Sequence, residues 1–163
     1  MRTFNQEYLR SVLFGLEDSL VSTTGLIAGL SVGANDKKVV VLGAVVAIAI
    51  EAISMGAGEY LSDGAVQELE KIKRHRDNPA FSGLLMMLSY LVAGMVPFLP
   101  VLILGYPASL ITSVAAAFAG LFVLGFVKGK LMNVHPFRGG LKILIVGGLA
   151  TIIGVFAGLI FRI

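Results

Sequence analysis

A row of side chains that can bind metal lies in residues 47–62, AIAIEAISMGAGEYLS, a segment otherwise as apolar as a membrane helix. Glu51, Met55 and Glu59 are spaced four residues apart, so in a helix they lie along one face. A carboxylate near the centre of a bilayer costs roughly 2.5–3.5 kcal/mol on insertion scales. Buried partners, water or a bound cation must offset that cost. We interpret the row as the lining of a cation path.

Two more acidic residues, Glu17 and Asp18, lie in the first apolar segment. Five residues of that segment share one helical face by their spacing: Ser11, Asp18, Ser22, Gly25 and Gly29. The two glycines form a GxxxG pair, which is typical of close helix contacts, so Asp18 and Ser22 are predicted to face a neighbouring helix. Glu17 points about 100° away. A location at the membrane interface, or an ion pair with a nearby arginine, explains Glu17 as well as a functional role does.

The rest of the chain is predicted to hold these residues in a bundle of five membrane helices. Hydrophobic residues make up 56% of the chain and charged residues 14%, too little polar surface for a soluble domain of 163 residues. A span needs about 20 residues, and a bundle of apolar helices satisfies its backbone internally. We therefore predict an all-α integral membrane protein with one transmembrane domain over residues 1–163 and a short loop at 63–82. The predicted spans are roughly 12–33, 39–61, 83–104, 108–127 and 141–161.

The distribution of basic residues predicts the orientation. Five spans place the two termini on opposite sides, and ten of the 13 Lys and Arg residues fall on the side that holds the N-terminus and the loops after the second and fourth spans. The positive-inside rule then places the N-terminus in the cytosol and the C-terminus outside the cell or in an organelle lumen. The net charge of +3 therefore indicates topology and contact with anionic lipid rather than nucleic-acid binding.

The residue types limit the chemistry. The chain has no cysteine, and therefore no thiolate metal site or disulfide. Within the loop at 63–82, the spacing of Glu68, Glu70, His75 and Asp77 does not form a closed metal site. No nucleophile–base pair is evident, so we expect neither an enzyme nor a bound cofactor. Carboxylate oxygens suit Fe²⁺ and Mn²⁺, and a thioether adds a softer ligand that Mg²⁺ and Ca²⁺ do not favour.

Three segments together resemble the vacuolar iron transporter family. Residues 14–29, FGLEDSLVSTTGLIAG, are similar to that family's first-helix pattern, and residues 54–62, SMGAGEYLS, are similar to its second-helix Ser-Met…Gly-Glu-Tyr pattern. The third segment is PFRGGLKILIVGG at residues 136–148. The five-helix layout and the region of Pro97 and Pro100 also fit, so the resemblance covers nearly the whole chain.

The resemblance implies a homodimer of five-helix protomers, with the ion path at the dimer interface between the first and second helices. It also implies export of ferrous iron, and often manganese, from the cytosol in exchange for protons. Carried over by motif, Asp18, Met55 and Glu59 match functional residues of the family. Glu51 lies outside the matched motif, so its role depends on spacing alone. We expect Asp18 and Glu59, with Met55, to alternate between metal and proton.

The chain also departs from the family pattern. Plant, fungal and parasite members carry a glutamate-rich cytosolic domain between the second and third helices, and a loop of about twenty residues cannot supply one. That difference favours a prokaryotic cell membrane over an organelle membrane. Many relatives also have Asn where this chain has Glu17. Two other functions stay open: a passive channel or transporter for another cation, and a non-transporting membrane scaffold whose carboxylates satisfy one another.

Overall fold

The computed structural model describes residues 6–34, 36–69 and 78–162, and these residues form five α-helices. The predicted all-α fold of five helices is confirmed, and the described residues contain no strand. The helices are α1 (Gln6–Gly33), α2 (Lys37–Leu69), α3 (Pro79–Ile103), α4 (Ala108–Leu131) and α5 (Pro136–Ile160).

The second helix is longer than the apolar span predicted within it. α2 continues through residues 62–69, so the first part of the predicted loop at 63–82 is helical. The apolar run predicts where a helix meets lipid, whereas polar residues such as Gln67 and Glu68 are good helix formers that prolong it. The remaining candidate loop ligands, Glu70, His75 and Asp77, lie outside the described residues.

Four of the helices, α2 to α5, are long and apolar enough to cross a membrane. The first helix is more polar because it contains Glu17, Asp18 and a series of serines and threonines. It is also the helix with the most buried positions, among them Ser19, Thr23 and Thr24. The polar side chains of α1 are therefore accommodated by burial against other helices, so α1 does not need a uniformly apolar surface.

The helices are arranged as an open ring around α1. Within the described ranges, α1 contacts all four other helices, α2 contacts only α1 and α3, and α5 contacts only α1 and α4. The order around α1 is therefore α2, α3, α4, α5, with an opening between α2 and α5. The opening is a groove of about 590 Å³ that exposes one side of α1.

Glycines bring α1 and α5 together. A Cβ atom added to Gly29 would lie 2.7 Å from the carbonyl oxygen of Gly154, closer than side-chain carbons approach such atoms, and Gly33 faces Gly158 in the same way. The GxxxG pair of α1 therefore makes a close helix contact as predicted, and its partner is α5. The predicted face of α1 is divided: its glycines contact α5, whereas Ser11 and Ser22 contact α2.

Candidate functional site

The row predicted on the second helix lies in one continuous helical segment of α2. Glu51, Met55 and Glu59 are each partly buried. At a rise of 1.5 Å per residue, the row extends over about 12 Å of the helix axis. It faces α1, as hydrogen bonds at both of its ends demonstrate. The structure therefore brings the polar faces of α1 and α2 together.

Glu51 belongs to a hydrogen-bonded cluster that joins three helices. The hydroxyl group of Tyr90 on α3 donates a hydrogen bond to Glu51 Oε2 on α2. Ser22 Oγ on α1 donates to the same oxygen at 3.1 Å, and the Ser22 and Tyr90 hydroxyl oxygens lie 2.6 Å apart. Tyr90 is completely buried. One oxygen of the Glu51 carboxylate therefore has two donors, while the other has none among the described residues.

Asp18 differs from the other acidic residues of the bundle. Its side chain is partly buried one turn from Ser22, yet it has no hydrogen bond or ion pair with any residue in the described ranges. Its negative charge interacts unfavourably with that of Glu51. Two like charges repel each other more in partly apolar surroundings than in water, because the effective dielectric constant is lower. A cation between these two carboxylates would remove that repulsion.

Glu59 is held at the other end of the row. Ser11 Oγ donates a hydrogen bond of 2.5 Å to Glu59 Oε1, and the Arg10 guanidinium group lies 3.2 Å from the same oxygen. Arg10 also contacts Asp63 at 3.4 Å and Glu7 at 3.3 Å. The Glu59 side chain is only 10% exposed, whereas that of Arg10 is 60% exposed. The arginine therefore lies between Glu59 and solvent.

Glu17 forms an ion pair, as one of the sequence interpretations allowed, but its partner is a lysine and not an arginine. Lys128 Nζ on α4 lies 2.8 Å from Glu17 Oε1, and both side chains are partly exposed. This pair lies on the α4 side of α1, away from the row on α2. Ser22 does contact the row, through Glu51.

Three residues of this arrangement were not predicted: Tyr90, Arg10 and Lys128. A tyrosine inside an apolar span is a signal for Tyr90, because a buried hydroxyl group requires a hydrogen-bond partner. The identity of that partner depends on how α3 packs against α2. In the sequence, the two basic residues indicate only the orientation of the chain, because nothing in their spacing points to a distant carboxylate.

The acidic residues form pairs along a line instead of one cluster. In the part of the chain that the structure describes, no three His, Cys, Asp or Glu residues are close enough to hold one metal ion together. Asp18 is near enough to Glu51 for their charges to interact, and Glu59 and Asp63 share Arg10 at the other end. Met55 lies between Glu51 and Glu59 on α2. Such a line would suit passage of a cation better than permanent binding.

Comparison with known proteins gives a consistent match. The sequence model of the VIT family matches residues 9–78 and 65–159. Vacuolar iron transporter 1 from Oryza sativa subsp. japonica is 24% identical, with 89% of this chain and 82% of the relative aligned. Vacuolar iron transporter 1 from Tulipa gesneriana is 26% identical, over 89% and 83% of the two chains. Vacuolar iron transporter homolog 2 from Arabidopsis thaliana is also 26% identical, over 88% and 79%.

The alignments also locate a difference in length. Those with the rice and tulip proteins extend over 206 and 207 residues, longer than this whole chain, so both relatives contain inserted residues that this chain lacks. The alignment with the Arabidopsis protein extends over only 155 residues. The two family matches overlap at residues 65–78, from the end of α2 to the residue before α3, where the sequence predicted a missing segment.

Proposed function

The chain belongs to the VIT family, and from that membership we propose that it carries divalent metal, chiefly Fe²⁺, across a membrane along the face between α1 and α2. The relatives named above are iron transporters by name. The proposed ligands are Asp18, Glu51, Met55 and Glu59. Glu17 is left out because Lys128 neutralises it, and Ser22 is assigned to orienting Glu51.

The observation that carries this proposal is that the Asp18 carboxylate has no hydrogen-bond donor or counter-ion among the described residues. A structural carboxylate inside a bundle is expected to have a counter-ion or hydrogen-bond donors. Glu17, Glu51 and Glu59 each have such a partner, whereas Asp18 has none in the described ranges and faces a second negative charge. This supports a mobile cation as its partner. It also argues against a scaffold whose carboxylates all satisfy one another.

The ligand types suggest the metal. Carboxylate oxygen atoms suit Fe²⁺ and Mn²⁺, and the Met55 thioether adds a soft ligand that favours Fe²⁺ over Mg²⁺ and Ca²⁺. We propose Fe²⁺ as the main substrate and Mn²⁺ as a second one. The wide spacing of the row supports transfer from one weak site to the next.

We propose that metal leaves the cytosol in exchange for protons. A carboxylate that has released a cation inside a low-dielectric bundle is stabilised by taking up a proton. Asp18 and Glu59 would therefore alternate between metal and proton, with Met55 as an intermediate ligand. The N-terminus lies in the cytosol in this proposal, because most basic residues are on that side.

A second copy of the chain is proposed to close the groove between α2 and α5. Ser22 and Glu51 line that groove together with glycines of α1 and α5. Large apolar side chains on α2 are also exposed, including Ile50 and Ile53. A homodimer with α1 and α2 at its interface would cover the row from both sides. Cross-linking of single cysteines placed on α2 within a membrane would detect this contact, and its absence would exclude this interface.

We also propose which kind of membrane contains the protein. The plant relatives are named for the vacuole, so they give no support to the expected prokaryotic cell membrane. An organelle membrane is the location that those names favour. The groups on the chain that contact lipid are the exposed apolar side chains of α2 to α5.

The decisive experiment measures Fe²⁺ and Mn²⁺ uptake into proteoliposomes with and without a pH gradient. The native protein is compared with Asp18→Ala and Met55→Ala, and with the matched controls Asp36→Ala and Met132→Ala, which lie away from the row. We expect gradient-dependent uptake that is lost in the first two variants and kept in the controls. Uptake that ignores the gradient would instead identify a channel. A folded native protein without uptake would identify a scaffold.

A further inference from the structure

A basic cleft lies at the opposite end of α5 from the residues that line the groove. It lies between the end of α4 and the beginning of α5, and its volume is about 580 Å³. Its lining combines cationic side chains with glycines and a few apolar residues. The cationic or ionisable residues are Lys128, His135, Arg138 and Lys142. We call it the α4–α5 cleft.

The charge of this cleft is not balanced within the described part of the chain. No Asp or Glu residue lines the cleft. Lys128 is paired with Glu17 on α1 at 2.8 Å. Arg138 and Lys142 have no ion pair or hydrogen bond to any described residue. Two cations that converge on one cavity without a counter-ion form a site for an anion.

The backbone adds positive potential at the same place. α5 begins at Pro136 with no acidic residue in its first turn, and the side chain of His135 does not cap it. The amide groups of a helix N-terminus attract anions, phosphate in particular. The N-terminus of α5 and the side chains of Arg138 and Lys142 therefore all contribute positive potential to the α4–α5 cleft.

The position of the cleft indicates which anion reaches it. The apolar part of α4 ends at the cleft and that of α5 begins there, so the cleft lies at the level of the membrane surface. Ile143 and Met132 form apolar parts of its wall. Phe137 and Leu141, which precede Arg138 and Lys142 in the chain, are exposed. A cationic cleft with an apolar flank matches a phosphate group that is attached to acyl chains.

We propose that the α4–α5 cleft binds the phosphate group of an anionic phospholipid, with Arg138 and Lys142 as its charged contacts. The acyl chains lie against the exposed apolar residues of α5. A bound lipid would hold the ends of α4 and α5 together and, through Lys128 and Glu17, would also stabilise α1. This binding site is separate from the row on α2 and does not depend on the proposed transport.

The test measures thermal stability and lipid retention of the purified protein in detergent. Phosphatidylglycerol, phosphatidylcholine and inorganic phosphate are added separately, at equal phosphate concentrations. The double variant Arg138→Gln/Lys142→Gln is compared with Lys130→Gln, which removes a charge from the same region but does not line the cleft. Native mass spectrometry counts the retained lipids.

Phosphatidylglycerol is expected to raise the melting temperature of the native protein by roughly 5–10 °C at about one hundred times its Kd. Each cation near an anionic lipid strengthens binding about fivefold, so the double variant should bind about 25-fold more weakly. Lys130→Gln should bind almost as the native protein does. The charge-preserving variant Arg138→Lys/Lys142→Arg should retain binding, which separates loss of charge from loss of folding.

Three results would overturn the proposal. Equal stabilisation by phosphatidylcholine would show that the anionic charge is not recognised. An equal loss of binding in Lys130→Gln would show that the cleft has no special role. Equal stabilisation by inorganic phosphate would assign the cleft to a soluble phosphate compound instead of a lipid.

Discussion

The hydroxyl group of Tyr90 on α3 donates a hydrogen bond to the carboxylate of Glu51 on α2. Tyr90 is completely buried, and Ser22 on α1 completes the cluster. The carboxylate that borders the groove is thereby fixed from the side of the bundle interior, and its second oxygen remains available to a ligand. Glu51 is thus oriented by α3, a helix that contains no acidic residue.

The role of Tyr90 can be tested by removing only its hydroxyl group. Tyr90→Phe keeps the ring in the core but takes a donor from a charged acceptor, so the free energy of unfolding should fall by about 1.5–3 kcal/mol. Metal uptake should fall as well, because Glu51 loses its fixed orientation. Tyr106→Phe, whose side chain is 57% exposed, should change stability by less than about 0.5 kcal/mol. Equal stability of the two variants would contradict this role.

Arg10 is expected to compete with metal for Glu59. Its guanidinium group lies 3.2 Å from Glu59 Oε1 and is largely exposed, so its contribution is at most about 1 kcal/mol. Arg10→Gln should therefore lower the KM for metal by up to about fivefold, whereas Arg10→Lys should remain near the native value. Metal uptake at varied concentration measures the change. A higher KM in Arg10→Gln would mean that Arg10 holds Glu59 in a productive position.

The ion pair between Glu17 and Lys128 is expected to stabilise the fold without taking part in transport. Glu17→Gln and Lys128→Gln should each lower the free energy of unfolding by about 1–2 kcal/mol, since each leaves a partly buried charge unpaired. The double variant should lose less than the sum of the two, which a double-mutant cycle measures. Metal uptake per folded protein should be unchanged. A selective loss of uptake in Glu17→Gln would return Glu17 to the site.

The contact between α1 and α5 should tolerate no added side chain. In Gly29→Ala the new Cβ atom would lie 2.7 Å from the carbonyl oxygen of Gly154, so the helices must separate, at a cost of about 1–3 kcal/mol. Gly64→Ala on α2 is the control, because no atom lies within 4 Å of its added Cβ. There the substitution should stabilise the helix by up to about 1 kcal/mol. Thermal denaturation in detergent compares them, and a destabilised control would undermine the argument.

The sequence was sufficient for the features that depend on local pattern. Apolar runs predict five helices because each run is long enough to satisfy the backbone within one span. Four-residue spacing places Glu51, Met55 and Glu59 on one face of α2 because the period of the α-helix is fixed. The serines of α1 were placed on the face of Asp18 by the same argument, and Ser11 and Ser22 do contact the row.

The sequence was insufficient for the pairing between helices. Glu17 and Lys128 are 111 residues apart, and no local pattern indicates that they meet. The glycine pair of α1 predicts a close contact but does not say that α5, rather than α2, provides it. The sequence also predicts the end of α2 too early. An apolar run sets the length of a membrane span, whereas the helix itself continues through polar residues. Only the three-dimensional arrangement resolves such choices.

The central position of α1 has a consequence for how the protein is made. α1 leaves the ribosome before the four helices that cover it, and Lys128 is synthesised more than one hundred residues after Glu17. An unpaired carboxylate in a bilayer costs roughly 2.5–3.5 kcal/mol. The first helix is therefore poorly held in the membrane until α4 and α5 arrive. Membrane insertion of the protein should therefore include an intermediate in which the insertion machinery holds α1 until α4 and α5 pack against it.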